Sequence, residues 1–323
     1  MAGYDIIGDV HGCASELVTL LGGLGYRLDA VGVYRHPERT AVFVGDLVDR
    51  GPGQREVLRI VKAMADAGTA RVEMGNHEFN AICYATKHPD SGEPLRPNNA
   101  KNAKQHKAFI EQLTAEEQEY YLQWFKTLPL WLDLDGVRVV HACWHKESMR
   151  AVEEATGGAN RLTELQHYVD ASTKGHTLYD AVETLLKGPE IDLEIPYLDK
   201  GGHPRTKARM MWWKRGAATL RELADVRGVT TEDGRPYPEL PDTAVDERYL
   251  SMIYTDAVPV VYGHYWFQWE KHREDWTDYT ACVDFSAVAA GHLVAYRWDA
   301  EPTIVRDHYV PHTADVVAPE PSA

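Results

Sequence analysis

Five short apolar runs, four closed by a glycine and a polar side chain and one by a histidine directly, constrain this chain more than any other feature. They are YDII (residues 4–7), AVFV (41–44), RVEM (71–74), VRVV (137–140) and VPVVY (258–262). Runs of this length, rich in Val and Ile, read as strands buried on both faces. Helical spacing falls between them. Leu17, Leu20, Leu21 and Leu24 stand at i, i+3, i+4 and i+7 before the glycines at 22, 23 and 25. Val57, Leu58, Val61, Met64 and Ala65 make a second stripe, stopped at Gly68, with Pro52 near its start where a missing N–H costs nothing. A third helix opens on Thr114 and Glu117, spaced as a capping box, and stops at Leu128–Pro129. Strands alternating with helices predict βαβ units and a layered α/β fold. The runs at 281–285, 292–298 and 303–310 predict consecutive strands and a second sheet packed on the first.

What closes the strands is chemical. GDVHG (8–12) presents Asp9 and His11; GDLVDRG (45–51) presents Asp46, Asp49 and Arg50; GNHE (75–78) presents Asn76, His77 and Glu78. His141 follows the fourth run and His264 the fifth. The carboxyl ends of strands in an α/β sheet share one edge, where ligands bind, and glycine beside every donor except His141 permits the sharp turn that lifts it off the strand. Two carboxylates, an amide oxygen and three imidazoles without sulfur suit manganese, iron or zinc at two adjacent sites. Ions about 3.5–4 Å apart activate a water and stabilise both oxygens of a displacement at phosphorus.

Charge explains why metal is the economical solution. A net charge of −15 makes the chain a poor non-specific partner for DNA or anionic membranes, and a phosphate then needs local positive charge from ions or arginines. The 15 histidines suit a metal protein. No run of about 18 apolar residues predicts a membrane span, and no secretory leader is recognisable, so a cytoplasmic location is expected. Cys13, Cys83, Cys143 and Cys282 lack CxxC spacing, which argues against a disulfide framework or a thiolate zinc site. At 323 residues the chain suits one large domain, with an insertion or cap expected over about 145–255 and a flexible tail over about 311–323. The polar stretch 87–107 reads as a surface loop and its lysines as a solvated face, while helical pieces are expected near 177–187 and 217–226.

The blocks GDVHG, GDLVDRG, GNHE, a histidine and GH, in this order, resemble the calcineurin-like metallophosphoesterases. The resemblance is to the branch shared by Ser/Thr phosphoprotein phosphatases and bacterial symmetrical diadenosine tetraphosphatases, and it covers residues 4–145 and about 255–300. It implies a central two-sheet β-sandwich flanked by helices. It also implies two divalent ions, manganese first, with iron, zinc, nickel or cobalt as alternatives. Asp9 and His11 would bind the first ion, Asp46 would bridge both, and Asn76, His141 and His264 would complete the second. His77 would be the general acid that protonates the leaving oxygen, Asp49 would orient it, and Arg50 would grip phosphoryl oxygens. Glu78 is expected to support its loop. Relatives supply a further phosphate-binding arginine from the inserted interval, and Arg209 is the candidate.

Two departures stand out. Cys143 replaces a glycine and is expected to pack, and VDFSAVAAG (283–291) replaces an Asp-Thr-Gly-Cys stretch, so the loop around Asp284 and Ser286 should differ. Other residues carry two readings. His145 reads as structural. RTKARMMWWKR (205–215) is either a substrate arm, with Trp212 or Trp213 stacking a base, or an amphipathic piece packing the insertion. The function expected is two-metal hydrolysis of a phosphate ester or anhydride, with a nucleotide or dinucleoside polyphosphate ahead of a phosphoprotein as substrate. A non-catalytic phosphate-sensing scaffold is a distant third, since no ligand position has decayed. A GxxxxGK[ST] loop and an HxHxDH run are both absent, which argues against a kinase-coupled enzyme and a β-lactamase-like hydrolase.

Overall fold

The computed structural model describes residues 3–199, 202–272 and 276–312. The chain divides into two compact units, Met1–Leu186 with Ala257–Ala323, and Lys187–Asp256. No helix among the described residues is long and apolar enough to cross a membrane.

Two larger sheets form the core of the first unit, beside a short ribbon of Arg27–Leu28 with Tyr34–Arg35. One is built on β1 (Gly3–Ile7), which pairs in parallel with β2 (Arg39–Phe43), as β2 does with β3 (Ala70–Val72). Helices α1 (Ala14–Leu24) and α2 (Gln54–Asp66) connect these strands, and the Thr114–Glu117 capping box opens α5 (Ala115–Phe125), as the spacing predicts. The second sheet contains β4 (Trp131–Asp133), β5 (Arg138–Val140), β8 (Val260–Tyr262) and β9 (Thr280–Cys282), in the order β9-β8-β5-β4. The five buried runs therefore serve two sheets rather than one edge of a single sheet. Later strands β10 (Asp284–Phe285), β11 (His292–Trp298) and β12 (Tyr309–Pro311) return to the first sheet, where β11 lies antiparallel to β1.

Strand alternation explains the core. Ile6, Val42 and Val44 from the first sheet meet Val139, Val261 and Ala281 from the second, closed by Tyr296 and Trp298. Each fully buried Val or Ile stabilises by about 1.5–3 kcal/mol. Ile7 and Phe43, next in sequence, are buried too, on the opposite face of β1 and β2. Asp5 shares the Ile7 face and is buried against Arg39 (2.9 Å) and Arg297 (3.2 Å).

Four expectations need correction. Residues 100–107 are helical, in α4 (Ala100–Gln112), because Asn99 caps the helix by accepting from the Asn102 N–H and Asn102, His106 and Phe109 form a buried stripe. The lysines at 101, 104 and 107 are exposed on the other face. The 217–226 piece shrinks to one turn, Leu220–Leu223, followed by strand residues Ala224–Asp225. Residues 303–308 form no strand; a turn at Arg306–His308 leads into β12. Lastly, the boundary near 145 is displaced. Helices α6 (Lys146–Thr156), α7 (Leu165–Ser172) and α8 (Thr177–Lys187) fall almost wholly in the first unit. Tyr168 stacks on Phe79 of α3 (Asn76–Ala85) at 6.3 Å, and the Ala142 N–H donates to Leu185 O, so these helices are tied to the strands. Of the expected tail, Pro311 and His312 are described and 313–323 lie outside the described residues.

The second unit carries its own apolar cores on the hairpin β6 (Glu190–Leu198) and β7 (Pro204–Met210), one of them formed by Ile191, Met210 and Leu223. Trp212 and Trp213 are buried with rings 6.0 Å apart, which makes them packing residues rather than a stacking platform.

Candidate metal centre and active site

The first part of the loop after β2 gathers around one buried carboxylate. Glu78 accepts hydrogen bonds from the N–H groups of Asp46 (2.8 Å), Leu47 (2.8 Å), Val48 (3.3 Å) and Gly75 (3.0 Å). This is loop support, as the motif implies. Gly75 passes so close to Asp46 that a Cβ there would strike its backbone and carboxylate. The turn is strained: His11, Asp46, Asp49, Arg50, His264 and Trp266 all adopt φ between 45° and 70°. Such conformations cost on the order of 1–3 kcal/mol each and persist where surrounding structure over-determines them.

Asp46 sits at the centre. Its Oδ2 lies 3.6 Å from His11 Nε2 and 3.8 Å from His77 Nε2, and its Oδ1 lies 3.5 Å from His141 Nε2. Two groups of candidate ligands therefore share it: His11, Asp46 and His77, and Asp46, His141 and His264. The imidazoles are aimed from behind. His11 Nδ1–H donates to Val48 O at 2.8 Å and His141 Nδ1–H to Val44 O at 2.7 Å, which leaves each Nε2 with its lone pair facing inward. Burial, then Arg50 and His77, push the His11 pKa down to about 3, so it stays neutral and able to ligate. Burial alone would raise Asp46, but His141, His77 and His11 outweigh it and keep the carboxylate ionised.

These residues fit divalent ions. The bare Nε2 of His141 meets Asn76 Oδ1 at 3.1 Å, and that of His11 faces the Asp46 carboxylate, two electron-rich pairs that a cation between them would relieve. Asp9 lies among the same groups, accepting from the His264 N–H at 3.2 Å; burial, then Asp284 and Asp46, push its pKa up. Buried carboxylates crowded in this way call for a cation. A Cβ at Gly263 would run into Asp9, so the close approach of this strand end requires glycine.

Beside this centre stands a second arrangement. His77 Nδ1 lies 2.6 Å from Asp49 Oδ2, and the carboxylate accepts, so the ring donates there and Nε2 is the free end. Arg50 Nη2 is 3.4 Å from that Nε2, and the guanidinium lies over the Trp266 ring at 4.2 Å. A fixed cation so close disfavours a metal on His77. Burial lowers the His77 pKa, yet Asp46 and Asp49 more than offset it and raise it overall.

Nine of the ten candidate residues gather in the first unit. Arg209 belongs to the second, on β7, in register with Glu190 and Asp225. Cys143 is buried, and His145 caps α6 by accepting from the Ser148 N–H. Three participants were not foreseen as such. Asp284 accepts from the N–H groups of Trp266 (2.8 Å) and Ser286 (3.0 Å) and so fixes the turn after His264; the strand-end pattern, extended to VDF, would have found it. Trp266 stands two residues after His264, but its contact with Arg50 is tertiary. His106 lies 3.0 Å from Asp49 Oδ2, from a segment expected to be loop.

A family description, calcineurin-like phosphoesterase, matches residues 4–296. The asymmetrical bis(5'-nucleosyl)-tetraphosphatase PrpE of Bacillus subtilis (strain 168) is 35% identical over 133 residues, covering 40% of this chain and 51% of that protein. The symmetrical bis(5'-nucleosyl)-tetraphosphatase of Aromatoleum aromaticum (strain DSM 19018 / LMG 30748 / EbN1) is 31% identical over 176 residues, covering 52% of this chain and 57% of that protein. The chain thus spans little more than half of these two relatives. Among solved structures, the cold-active protein-tyrosine phosphatase of a psychrophilic Shewanella is 16% identical, with 97% of this chain and 81% of that chain covered and a TM-score of 0.45.

Proposed function

The chain belongs to the calcineurin-like phosphoesterase family, and from that premise we propose that it is a two-metal phosphohydrolase acting on a nucleotide or dinucleoside polyphosphate. The observation that carries this reading is Asp46, shared by two groups of inward-facing donors and flanked by Asp49, His77 and Arg50. Relatives named as dinucleoside tetraphosphatases support the substrate class.

In this reading Asp9, His11 and Asp46 hold one ion and Asp46, Asn76, His141 and His264 the other, manganese being the metal proposed. When bound, such ions supply the positive charge that activates water and neutralises phosphoryl oxygens. Arg50, backed by Trp266, grips phosphoryl oxygens with its planar fork. His77 gives the Nε2 proton to the leaving oxygen, while Asp49 keeps Nδ1–H engaged and so fixes which nitrogen faces the substrate. Arg209 is proposed as a further phosphate contact on the strength of the family resemblance. A cytoplasmic setting is proposed as well, in keeping with four buried cysteines that form no disulfide.

A substrate panel with added Mn²⁺ tests the proposal, comparing p-nitrophenyl phosphate, nucleotides, diadenosine tetraphosphate and phosphopeptides by rate. Diadenosine tetraphosphate should be the fastest, and its products decide the cleavage position: two ADP for symmetrical attack, ATP with AMP for asymmetrical. Faster turnover of phosphopeptides would replace the substrate class. No hydrolysis with Mn²⁺, Ni²⁺, Co²⁺ or Zn²⁺ would overturn the enzyme reading.

A further inference from the structure

Three elements converge on a single carboxylate oxygen. Asp49 comes from the loop after β2, His77 from α3 and His106 from α4, and both rings place Nδ1 on the same Oδ2, at 2.6 Å and 3.0 Å. A carboxylate oxygen only accepts, so both rings donate. Asp49 and His106 are 0% and 1% exposed, and Asp49 Oδ1 makes no hydrogen bond. The orientation of the carboxylate therefore rests on Oδ2 and its two donors. Burial would lift the Asp49 pKa, but the N–H groups of His106 and His77 outweigh it and hold it below the usual range.

His106 is itself built into place. Asn99 caps α4, the His106 ring packs at 5.1 Å from Tyr84, and Arg96 braces α4 to α3 by donating to Gln105 Oε1 (2.8 Å) and Asn80 Oδ1 (3.0 Å). Asp49 is fixed from behind as well: its N–H donates to Gln54 Oε1 at 2.8 Å, and the Gln54 amide donates back to Asp49 O at 3.1 Å. With backbone and carboxylate both held, the remaining freedom of the acid dyad is the swing of the His77 ring about Oδ2.

Resting on the phosphohydrolase reading, we infer that His106 is a positioning residue for proton transfer: its Nδ1–H locks the Asp49 carboxylate so that His77 directs Nε2 at the leaving oxygen. The role separates from mere packing by chemistry. A poor leaving group depends on the donated proton and a good one much less, so a misdirected acid penalises the first selectively.

The experiment compares His106→Ala and His106→Asn on phenyl phosphate and p-nitrophenyl phosphate with Mn²⁺, alongside bound-metal content and ¹⁵N-histidine NMR of the metal-free protein. Alanine should lower kcat roughly 30-fold on phenyl phosphate and no more than about threefold on p-nitrophenyl phosphate, part of the ~100-fold or more that general acid catalysis contributes. KM and metal content should hold. The His77 Nδ1–H resonance should move. Asparagine returns an N–H donor near the position of Nδ1 and should restore both rate and resonance. If His106→Ala does not fold, His106→Gln replaces it, since its longer amide misses that position. Equal losses on both esters, a loss confined to KM or to metal content, or an unmoved His77 resonance would overturn the inference. If the parent protein hydrolyses neither these esters nor diadenosine tetraphosphate, the phosphohydrolase reading falls instead; if it cleaves only the latter, that reading stands, and in both cases the resonance decides what His106 does.

Discussion

Replacing Glu78 with Gln tests whether one buried carboxylate holds the metal loop in its strained shape. The side chain is 0% exposed and takes four backbone N–H donors, two per oxygen: Leu47 and Val48 on Oε1, Asp46 and Gly75 on Oε2. An amide of the same shape keeps one oxygen and turns an NH₂ group against the other pair of donors. At about 1.5–3 kcal/mol for each bond to a charged acceptor, losing two costs roughly 3–6 kcal/mol. That is a large share of the ~5–15 kcal/mol by which a domain is stable. Denaturant unfolding of the metal-free protein measures it directly. A Mn²⁺ titration should show weaker binding at both ions, because Asp46, shared by both groups, is on the loop that loosens. A stability loss under about 1 kcal/mol with unchanged Mn²⁺ affinity would refute the reasoning, since Asp46 would then hold its left-handed conformation without Glu78.

Three further outcomes follow from particular contacts. His77→Ala should lose most turnover, on the order of 100-fold or more, while keeping two ions by metal analysis; loss of an ion would move His77 into the ligand set, where its distance to Asp46 also permits it. Trp266→Ala removes the ring beneath Arg50, a contact of about 0.5–2 kcal/mol, and should raise KM roughly 2- to 30-fold with kcat nearly unchanged; an unchanged KM would mean that Arg50 is oriented by something else. Glu73 is buried with neither carboxylate oxygen hydrogen-bonded, and burial pushes its pKa well above 4.5. The folded state thus keeps a proton that the unfolded chain releases above about pH 4.5, so folding weakens as pH rises through that window. Glu73→Met should be more stable than the parent by about 1–3 kcal/mol near pH 7 and by less near pH 5; a gap that does not widen with pH, read from denaturant midpoints, would refute this.

Much of the site could be read before any coordinates. Asp9, His11, Asp46, Asn76 and His264 each follow a buried run that stops at glycine, which has few ways to turn and so places the next polar residue, while His141 follows its run directly. The helices α1 and α2 were equally legible, since their apolar stripes must face a sheet. The same logic failed for α4. Its stripe of Asn102, His106 and Phe109 contains two polar members, and periodicity counts only apolar ones. His106 is hidden with it, and Asp284 follows Val283 directly, without the glycine that precedes Asp9 and Asp46 at their strand ends.

The sequence by itself determined the donors, their order and the βαβ scaffold, because hydrophobic periodicity and turn residues are local properties. Tertiary structure alone decided which oxygen of Asp46 faces which imidazole, that the five runs divide between two sheets, that Trp266 underlies Arg50, and that His106 shares an oxygen with His77. Those are contacts between residues 28 to 216 positions apart, taking Asp49 with His77 and Arg50 with Trp266 as the extremes. No local propensity encodes them; they exist only once the two sheets close on a common core and bring their strand ends together.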